Sequence, residues 1–355
     1  MRIGTFLCVM LVFVTSAASP AGPLDPPTGP ISSTMKTLDQ VEPRIPIGPD
    51  TTPGDAECVY RITQPGSYYL TENLQGELGK HGIILDTPQV SLDLNGFAVI
   101  GPGRAQQGND DGIRAGQILI GAMIRNGVVH DWNGNGVNLS LNDGQHMALL
   151  LQDLRAISNG ESGIAIDGES SIIERCIASE NQANGIDASI ATVRDCVSYG
   201  NTGLGFSGTG LIENCMSMSN RAGGVSWTYG IVRGCVVYAN LGNGIHKSNS
   251  GSVIDNYVFF NINASNSAAG IVVTSQNNEL SGNFVGLSDF GIRVENDNNF
   301  ITRNKCRDNG INWFIVAGNF YGPIIDRTAV TPGGVFGNAA SGTLGTSDPN
   351  ANFSY

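Results

Sequence analysis

The chain has 355 residues, with 31 Asp and Glu against 19 Lys and Arg and a formal net charge of −12. This negative charge argues against nucleic acid and against an anionic membrane surface as partners. The 48 glycines, 14% charged residues and 7% aromatic residues are typical of an extracellular β protein with many turns and a narrow core.

Residues 1–18 have the pattern of a secretory signal peptide. Arg2 precedes an apolar run from Phe6 to Val14, and Ser16, Ala17 and Ala18 supply the small residues of a cleavage site. The run is too short to span a bilayer. We therefore expect a secreted, extracellular protein without a transmembrane segment, with the periplasm or the cell surface as alternatives.

Residues 19–57 are rich in Pro, Gly, Thr and Asp, and this composition predicts a linker. The linker is expected to be either extended over the first part of the fold or disordered. Ordered structure is expected to begin near Cys58.

One short phrase recurs four times between residues 172 and 245. In each copy an Asn follows a Cys by five residues and a Gly follows that Cys by nine, and the copies are 20, 19 and 20 residues apart. Such a period indicates one coil of a stacked solenoid, because each unit is too small to bury its own apolar face. The four cysteines are Cys176, Cys196, Cys215 and Cys235, and the asparagines are Asn181, Asn201, Asn220 and Asn240.

The repeat lacks the i, i+3, i+4, i+7 apolar stripe of a helix, so its short β-branched runs are predicted to be parallel strands joined by tight turns. Equivalent residues of successive coils then lie about 4.8 Å apart, and the asparagine column, continued by Asn261, forms an amide ladder. We predict an all-β, single-stranded parallel solenoid over residues 58–318, with N- and C-terminal caps. Roughly a dozen coils would make a rod ~55–60 Å long. Residues 319–355 lose the repeat and are predicted to be a C-terminal cap or tail.

These Gly-Ile, Asn and Cys columns resemble the right-handed parallel β-helix repeat of the pectate-lyase-like superfamily, over about residues 60–318. Residues 65–70, 90–97 and 350–355 are similar to those of a group of functionally uncharacterised secreted bacterial β-helix proteins. The resemblance implies the fold but not the function, since enzymes, binding proteins and passive spikes all use such a rod.

The cysteine column allows three interpretations. Stacking places the Cα atoms within the range of a disulfide, and an exported protein meets an oxidising compartment. A buried stack of thiols is favoured, because in related β-helices an Asn often fills this column, as Asn256, Asn283 and Asn304 do here. Metal binding is the least favoured, because thiols in a line do not easily surround a tetrahedral ion.

An aromatic column lies three residues after each cysteine. It contains Ser179, Tyr199, Met218 and Tyr238 and continues as Phe259 after Asn256. Alternation along a strand places this column on the opposite side from the cysteines, so we expect it to face solvent, where it would form an apolar strip suited to sugar rings. The alternative is that these side chains belong to the core.

The candidates for acid–base chemistry are scattered. Asp110 and Asp111 are adjacent, which favours a role in a turn over paired catalysis. Asp167, Glu169 and Asp187 could hold calcium in a lyase with His246 and Lys247 as the base, but three coils, about 14 Å, would separate His246 from Asp187. His130 and Asp131, also adjacent, are expected to point to opposite faces. The nonapeptide calcium-binding repeat is absent, so we expect no metal and no cofactor, with calcium as the alternative.

The sequence favours a secreted, non-catalytic, monomeric β-helix that binds extracellular polysaccharide or serves as a surface structural element. The negative charge weighs against strongly anionic polysaccharides unless a cation bridges the two. The alternative is a polysaccharide lyase or glycoside hydrolase with a divergent active site.

Overall fold

The structure is a computed structural model that describes residues 42–104, 108–140, 146–326, 328 and 346–355. The predicted signal peptide, residues 19–41 of the predicted linker and most of residues 327–345 lie outside the described residues. The unit considered below extends from Arg44 to Tyr355. Within the described residues there is no helix, and hence none long and apolar enough to cross a membrane.

The chain forms a parallel β-solenoid in which each regular coil contributes one strand to each of three stacks. Stack 1 contains the strands that begin with the Gly-Ile step, and they pair in parallel from one coil to the next. Its strands are Cys58–Ile62, His81–Leu85, Ile113–Ala115, Val137–Leu139, Ile164–Glu174, Ile186–Arg194, Leu204–Glu213, Gly223–Arg233, Ile245–Lys247, Ala269–Val273, Phe290–Val294 and Ile311–Ile315.

Stack 2 precedes the cysteine position. Four long strands of stack 1, which begin at Ile164, Ile186, Leu204 and Gly223, continue into it after an irregularity in the register. Its other strands are Ile45–Pro46, Gly66–Tyr69, Val90–Asp93, Met123–His130, Leu150–Ile157, Gly251–Ile254, Asn278–Ser281, Phe300–Thr302 and Phe320–Tyr321.

Stack 3 follows the cysteine position and includes the second halves of Met123–His130 and Leu150–Ile157. Its other strands are Leu74–Gln75, Ala98–Ile100, Ile177–Ser179, Val197–Tyr199, Met216–Met218, Val236–Tyr238, Tyr257–Phe259, Phe284–Gly286, Lys305–Arg307 and Asn352–Ser354. The short strand His146–Met147 pairs with Ile164–Glu174 beside the stacks, and Ile324–Asp326 pairs with Asn352–Ser354 as the last strand of stack 3. The predicted all-β solenoid of about a dozen coils is confirmed.

Left-handed residues turn the chain between stacks 2 and 3. The residue before each cysteine has a positive φ: 53° at Arg175, 54° at Asp195, 53° at Asn214 and 61° at Gly234. Asp, Asn and Gly tolerate this conformation best, which explains why they occupy the position in three of these four coils. The turn directs the cysteine side chain inward, and the Cys176 sulfur lies 3.4 Å from the carbonyl oxygen of Glu174.

The predicted asparagine ladder is present and is completely buried. Asn181, Asn201, Asn220 and Asn240 are each 0% exposed. The side-chain oxygen of each accepts the backbone N–H and the side-chain amide of the asparagine one coil earlier, at 2.9–3.0 Å between Asn181 and Asn201. Asn159 extends the ladder at one end and Asn261 at the other. The ladder thus pairs turn groups that would otherwise be buried without partners.

A second ladder continues the cysteine column. Asn256, Asn283 and Asn304 bond in series, and Asn304 donates its side-chain amide to Asn352 Oδ1 at 3.2 Å. The strand Asn352–Ser354 pairs with Lys305 and Cys306. The extreme C-terminal residues therefore add a further rung to stack 3, and they do so after the repeat has ended in the sequence.

The ordered chain begins earlier than Cys58. Ile45 and Pro46 pair with Tyr68 and Tyr69 of stack 2, and Ile47 is 5% exposed. This part of the predicted linker lies along the first coils.

The cysteine column is a stack of unbridged thiols. All six cysteines of the described residues are free and buried, and the Cys176 backbone N–H lies 3.4 Å from Cys196 Sγ. The packed-thiol interpretation was therefore correct. Burial raises the pKa of Cys215 and of Cys306, which keeps these sulfurs in the unreactive thiol form.

This packing predicts a specific alkylation pattern. Native protein prepared without reductant should resist iodoacetamide, because the thiols are inaccessible, whereas denatured protein should be modified at Cys176, Cys196, Cys215 and Cys235. Peptide mass spectrometry measures both states. Two disulfide-linked peptide pairs from this column in the denatured sample would contradict the prediction.

Candidate functional site

The outer face of stack 3 carries an apolar surface whose geometry follows from the turn before each cysteine. Cys196 is buried, Ser198 is buried, and Val197 and Tyr199 between and after them point outward. The same alternation holds in the next two coils. Each of these coils therefore presents two side chains to the outside, one directly after the cysteine and one three residues after it.

Two of the predicted sugar-binding residues are exposed to solvent. Tyr199 is 42% exposed and Tyr238 is 37% exposed, while Met218, which pairs between them in the strand register, is half-buried. These three residues occupy consecutive coils, so the two tyrosines lie about 10 Å apart along the rod.

The prediction that the whole column faces solvent is wrong at Phe259, which is only 2% exposed. Its ring is covered by neighbours on the same outer face. Tyr257 stacks on it at 4.3 Å between ring centroids, Phe284 meets it edge-on at 4.9 Å, and the Arg307 guanidinium lies 5.5 Å from its centroid. Phe259 points as alternation requires but is buried beneath this cluster.

Sequence reasoning missed the second outward column, directly after the cysteine. Met216 is 39% exposed, Val236 37% and Tyr257 43%. Phe260, at the turn after stack 3, is 43% exposed and its ring meets Tyr238 edge-on at 5.3 Å. Strand alternation, applied one step further, would have identified this column. We call the whole surface the apolar strip; it consists of Tyr199, Met216, Met218, Val236, Tyr238, Tyr257 and Phe260.

The outer face of stack 1 is polar and carries Asp187 and His246. The register runs from Asp187 to Ser207, then to Ser226 and then to His246, so three coils, about 14 Å, separate the two titratable residues. Burial raises the pKa of Asp187 and lowers the pKa of His246, whose Nε2 lies 3.2 Å from Thr274 Oγ1. The two groups are too far apart to act on one bond.

Lys247 does not share that face. Its side chain is 0% exposed and occupies the inward position in register with Trp227 and Val273. The ammonium group donates to the carbonyl oxygens of Thr228 and, at 3.1 Å, of Ser250. The prediction that Lys247 could join His246 as an external base is therefore wrong.

The proposed calcium ligands do not converge. Asp167 lies one coil before Asp187 and pairs with Ser189, which is two positions beyond Asp187. Glu169 lies two residues farther along the strand of Asp167, in register with Met147. In the part of the chain that the structure describes, no three His, Cys, Asp or Glu residues form a cluster able to hold a metal ion.

Asp110 and Asp111 have different environments. Asp111 is 0% exposed, and its carboxylate accepts hydrogen bonds from the Asn135 backbone at 2.8 Å, from Asn138 at 3.0 Å and from Arg114 at 3.2 Å. These bonds tie together two coils, which is a structural role. Asp110 lines an adjacent cleft.

His130 and Asp131 meet, contrary to expectation. Asp131 has a φ of 60°, and this turn brings its carboxylate oxygen Oδ2 within 2.8 Å of His130 Nδ1. The alternation rule fails here because it assumes extended backbone at both residues.

No family model matches the sequence, and no curated protein sequence matches it significantly. Several solved structures do match. The A-module of mannuronan C-5 epimerase AlgE4 from Azotobacter vinelandii is 17% identical, with a TM-score of 0.56 over 72% of this chain and 81% of that chain. The periplasmic alginate epimerase AlgG is 13% identical, with a TM-score of 0.51 over 79% and 80% of the two chains. The Dettilon tailspike protein is 14% identical, with a TM-score of 0.50 over 71% and 57%.

The fold is a right-handed parallel β-helix. This confirms the fold that the resemblance implied. At these low identities the likeness concerns the fold alone, and the function of this β-helix has to be argued from its own residues.

Proposed function

We propose that this protein acts outside the cytoplasm and binds a neutral or weakly charged polysaccharide along the apolar strip without cleaving it. The observation that carries the proposal is the row of exposed apolar side chains on four successive coils of one face, three of which carry an aromatic ring. A folded protein seldom leaves several large apolar side chains exposed side by side unless they contact something. Aromatic rings suit the apolar faces of sugars, and this contact needs no charge.

The shape of the strip favours a linear polymer over a compact ligand. Tyr199, Tyr238 and Tyr257 lie at intervals along the rod, and the strip extends over four coils, about 14 Å between the first and the last. A polysaccharide chain laid along the rod would contact these rings with successive sugar units.

Two further observations support the proposal. The solved structures of the same fold include epimerases that, by name, act on mannuronan and alginate, so a rod of this kind handles polysaccharides in other proteins. The acidic and basic candidates of stack 1, by contrast, do not assemble into a catalytic pair. Asp187 and His246 are three coils apart, and Lys247 points into the core.

Affinity electrophoresis against a panel of neutral and acidic polysaccharides tests the proposal. We expect retardation by at least one neutral or weakly charged polymer, unchanged by added salt. Tyr199→Ala/Tyr238→Ala should weaken it about thirtyfold, since two ring contacts of ~1 kcal/mol each are lost. The matched control is Tyr229→Ala, which removes a tyrosine that is 53% exposed and lies outside the strip.

Turnover is measured on the same samples, by reducing ends, by unsaturated products and by proton NMR of the recovered polymer. We expect an unchanged polymer. Released oligosaccharide or altered sugar units would make the protein an enzyme. Unfolding of the double variant, or an equal loss of binding in the Tyr229 control, would rule out the strip as the binding surface.

A further inference from the structure

A cleft of about 400 Å³ opens on the outer side of stack 1 at the N-terminal end of the rod. Its polar lining comes from the first three coils: Glu57, Arg61, His81, Asp110 and Arg114. Its volume falls in the range of small-molecule sites. It lies on a different stack from the apolar strip, whose first coil is three coils farther along the rod.

Asp110 is the unusual group in this cleft. The residue is 9% exposed, and its carboxylate oxygen Oδ2 is buried with no hydrogen-bond partner among the described residues. Its backbone is well anchored, because its N–H donates to Asn133 Oδ1 at 2.7 Å. A buried carboxylate oxygen without a donor destabilises a fold, so we look for its donor in a bound molecule.

The neighbours of Asp110 are arranged to donate. His81 Nδ1 accepts the backbone N–H of Asp111 at 2.8 Å, which places the ring proton of the neutral imidazole on Nε2. Arg114 donates to Asp111 through Nη1 at 3.2 Å, which leaves its Nη2 group for a ligand. Arg61 is already held by Asp55 and Glu57, both at 2.7 Å. The cleft thus combines one acceptor, Asp110, with two donors, His81 and Arg114.

We propose that this cleft binds a single polyhydroxylated unit, a monosaccharide or the end of a glycan, whose hydroxyl donates to the Asp110 carboxylate. Adjacent sugar hydroxyls donate and accept at once, which matches an acceptor beside two donors. A metal cation is disfavoured by the two guanidinium groups in the lining, and an inorganic anion by the carboxylates of Asp110 and Glu57. The site is independent of the apolar strip.

The test uses the mature protein and saturation-transfer difference NMR with the methyl glycosides of glucose, galactose and mannose, and with glucuronate and calcium chloride as comparisons. We expect millimolar binding of at least one neutral glycoside. Asp110→Ala and the isosteric Asp110→Asn should each weaken it at least tenfold. The Tyr199→Ala/Tyr238→Ala variant should retain it, which separates this site from the strip.

Thermal unfolding without ligand supplies a second readout. Removing an unpaired buried carboxylate should raise the melting temperature by ~2–5 °C, whereas loss of a structural residue would lower it. Asp308→Asn, a change of a carboxylate at a surface turn, is the matched control and should alter neither quantity. The proposal is overturned if no glycoside binds, if both Asp110 variants melt at a lower temperature, or if calcium rather than a glycoside binds through Asp110.

Discussion

Replacing Asn201 by leucine is expected to lower the free energy of unfolding by about 4 kcal/mol, because the substitution leaves several buried polar groups without partners at once. Asn201 is 0% exposed. Its side-chain oxygen accepts the Asn181 backbone N–H at 3.0 Å and the Asn181 amide at 2.9 Å. Its own amide donates to the Ala178 carbonyl at 3.1 Å and to Asn220 Oδ1 at 2.9 Å.

Leucine has a similar size but can make none of these bonds, and no water can replace them in a fully packed core. The substitution affects the asparagines of both neighbouring coils, since Asn181 loses its acceptor and Asn220 loses a donor. We therefore expect an effect well above that of an ordinary core substitution of similar volume.

Chemical denaturation followed by circular dichroism measures the effect. The matched control is Thr202→Ala, the next residue, whose side chain is exposed and whose backbone N–H keeps its bond to the Asn181 carbonyl at 2.9 Å. This control should change stability by no more than about 0.5 kcal/mol. A denaturation midpoint for Asn201→Leu equal to that of the control would contradict a stabilising role for the ladder.

The second prediction concerns Lys247 and alkaline pH. Burial lowers the pKa of this lysine from 10.5 to about 8 in the folded protein. Between these two pH values the unfolded chain binds more protons than the folded chain, so the lysine makes stability rise with pH across this window. Below about pH 8 both states are charged, and the cost of burying the ammonium group is present in full.

Lys247→Met removes this dependence, because methionine fills a similar volume and does not titrate. The free energy of unfolding of the wild type, taken relative to the variant, should therefore increase by about 3 kcal/mol at most between pH 7.5 and pH 10.5. Tyrosines and other lysines titrate in both proteins, so their contributions cancel when the free energy of unfolding of the variant is subtracted from that of the wild type. The carbonyl oxygens of Thr228 and Ser250 lose a donor in the variant, and this adds a constant that does not depend on pH.

Unfolding curves at four or more pH values in this range provide the measurement. Parallel stability profiles for wild type and variant would show that Lys247 titrates normally and therefore is not buried as described. A matched substitution of an exposed lysine, Lys305→Met, should give a profile parallel to that of the wild type.

The structure of one coil can be predicted from the repeat alone. The fixed offsets from Cys to Asn and from Asn to Gly specify where each turn lies, and a rod of identical turns follows because like positions must stack at the strand spacing. The buried amide ladder and the inward cysteines follow from the same offsets. The outward direction of Tyr199 and Tyr238 could also be predicted, since alternation along a strand is a local property of extended backbone.

How deeply each outward side chain is covered depends on contacts between different coils, which the repeat does not predict. Phe259 points outward like Tyr199, yet Tyr257 and Phe284 cover it, because large rings happen to occupy the neighbouring positions of its own and the next coil. Exposure depends on the size of side chains brought together from different coils, and no offset within one coil contains that information.

Contacts between distant parts of the chain also explain two features that the repeat does not predict, the buried Lys247 and the ladder position of Asn352. Lys247 occupies an inward position that disfavours a charged group, and it is accommodated because its ammonium group donates to the carbonyl oxygens of Thr228 and Ser250. Asn352 joins a ladder 48 residues after Asn304, across a segment with no repeat. Both depend on where distant backbone atoms come to lie, which the stacking of the whole rod determines and the local repeat does not.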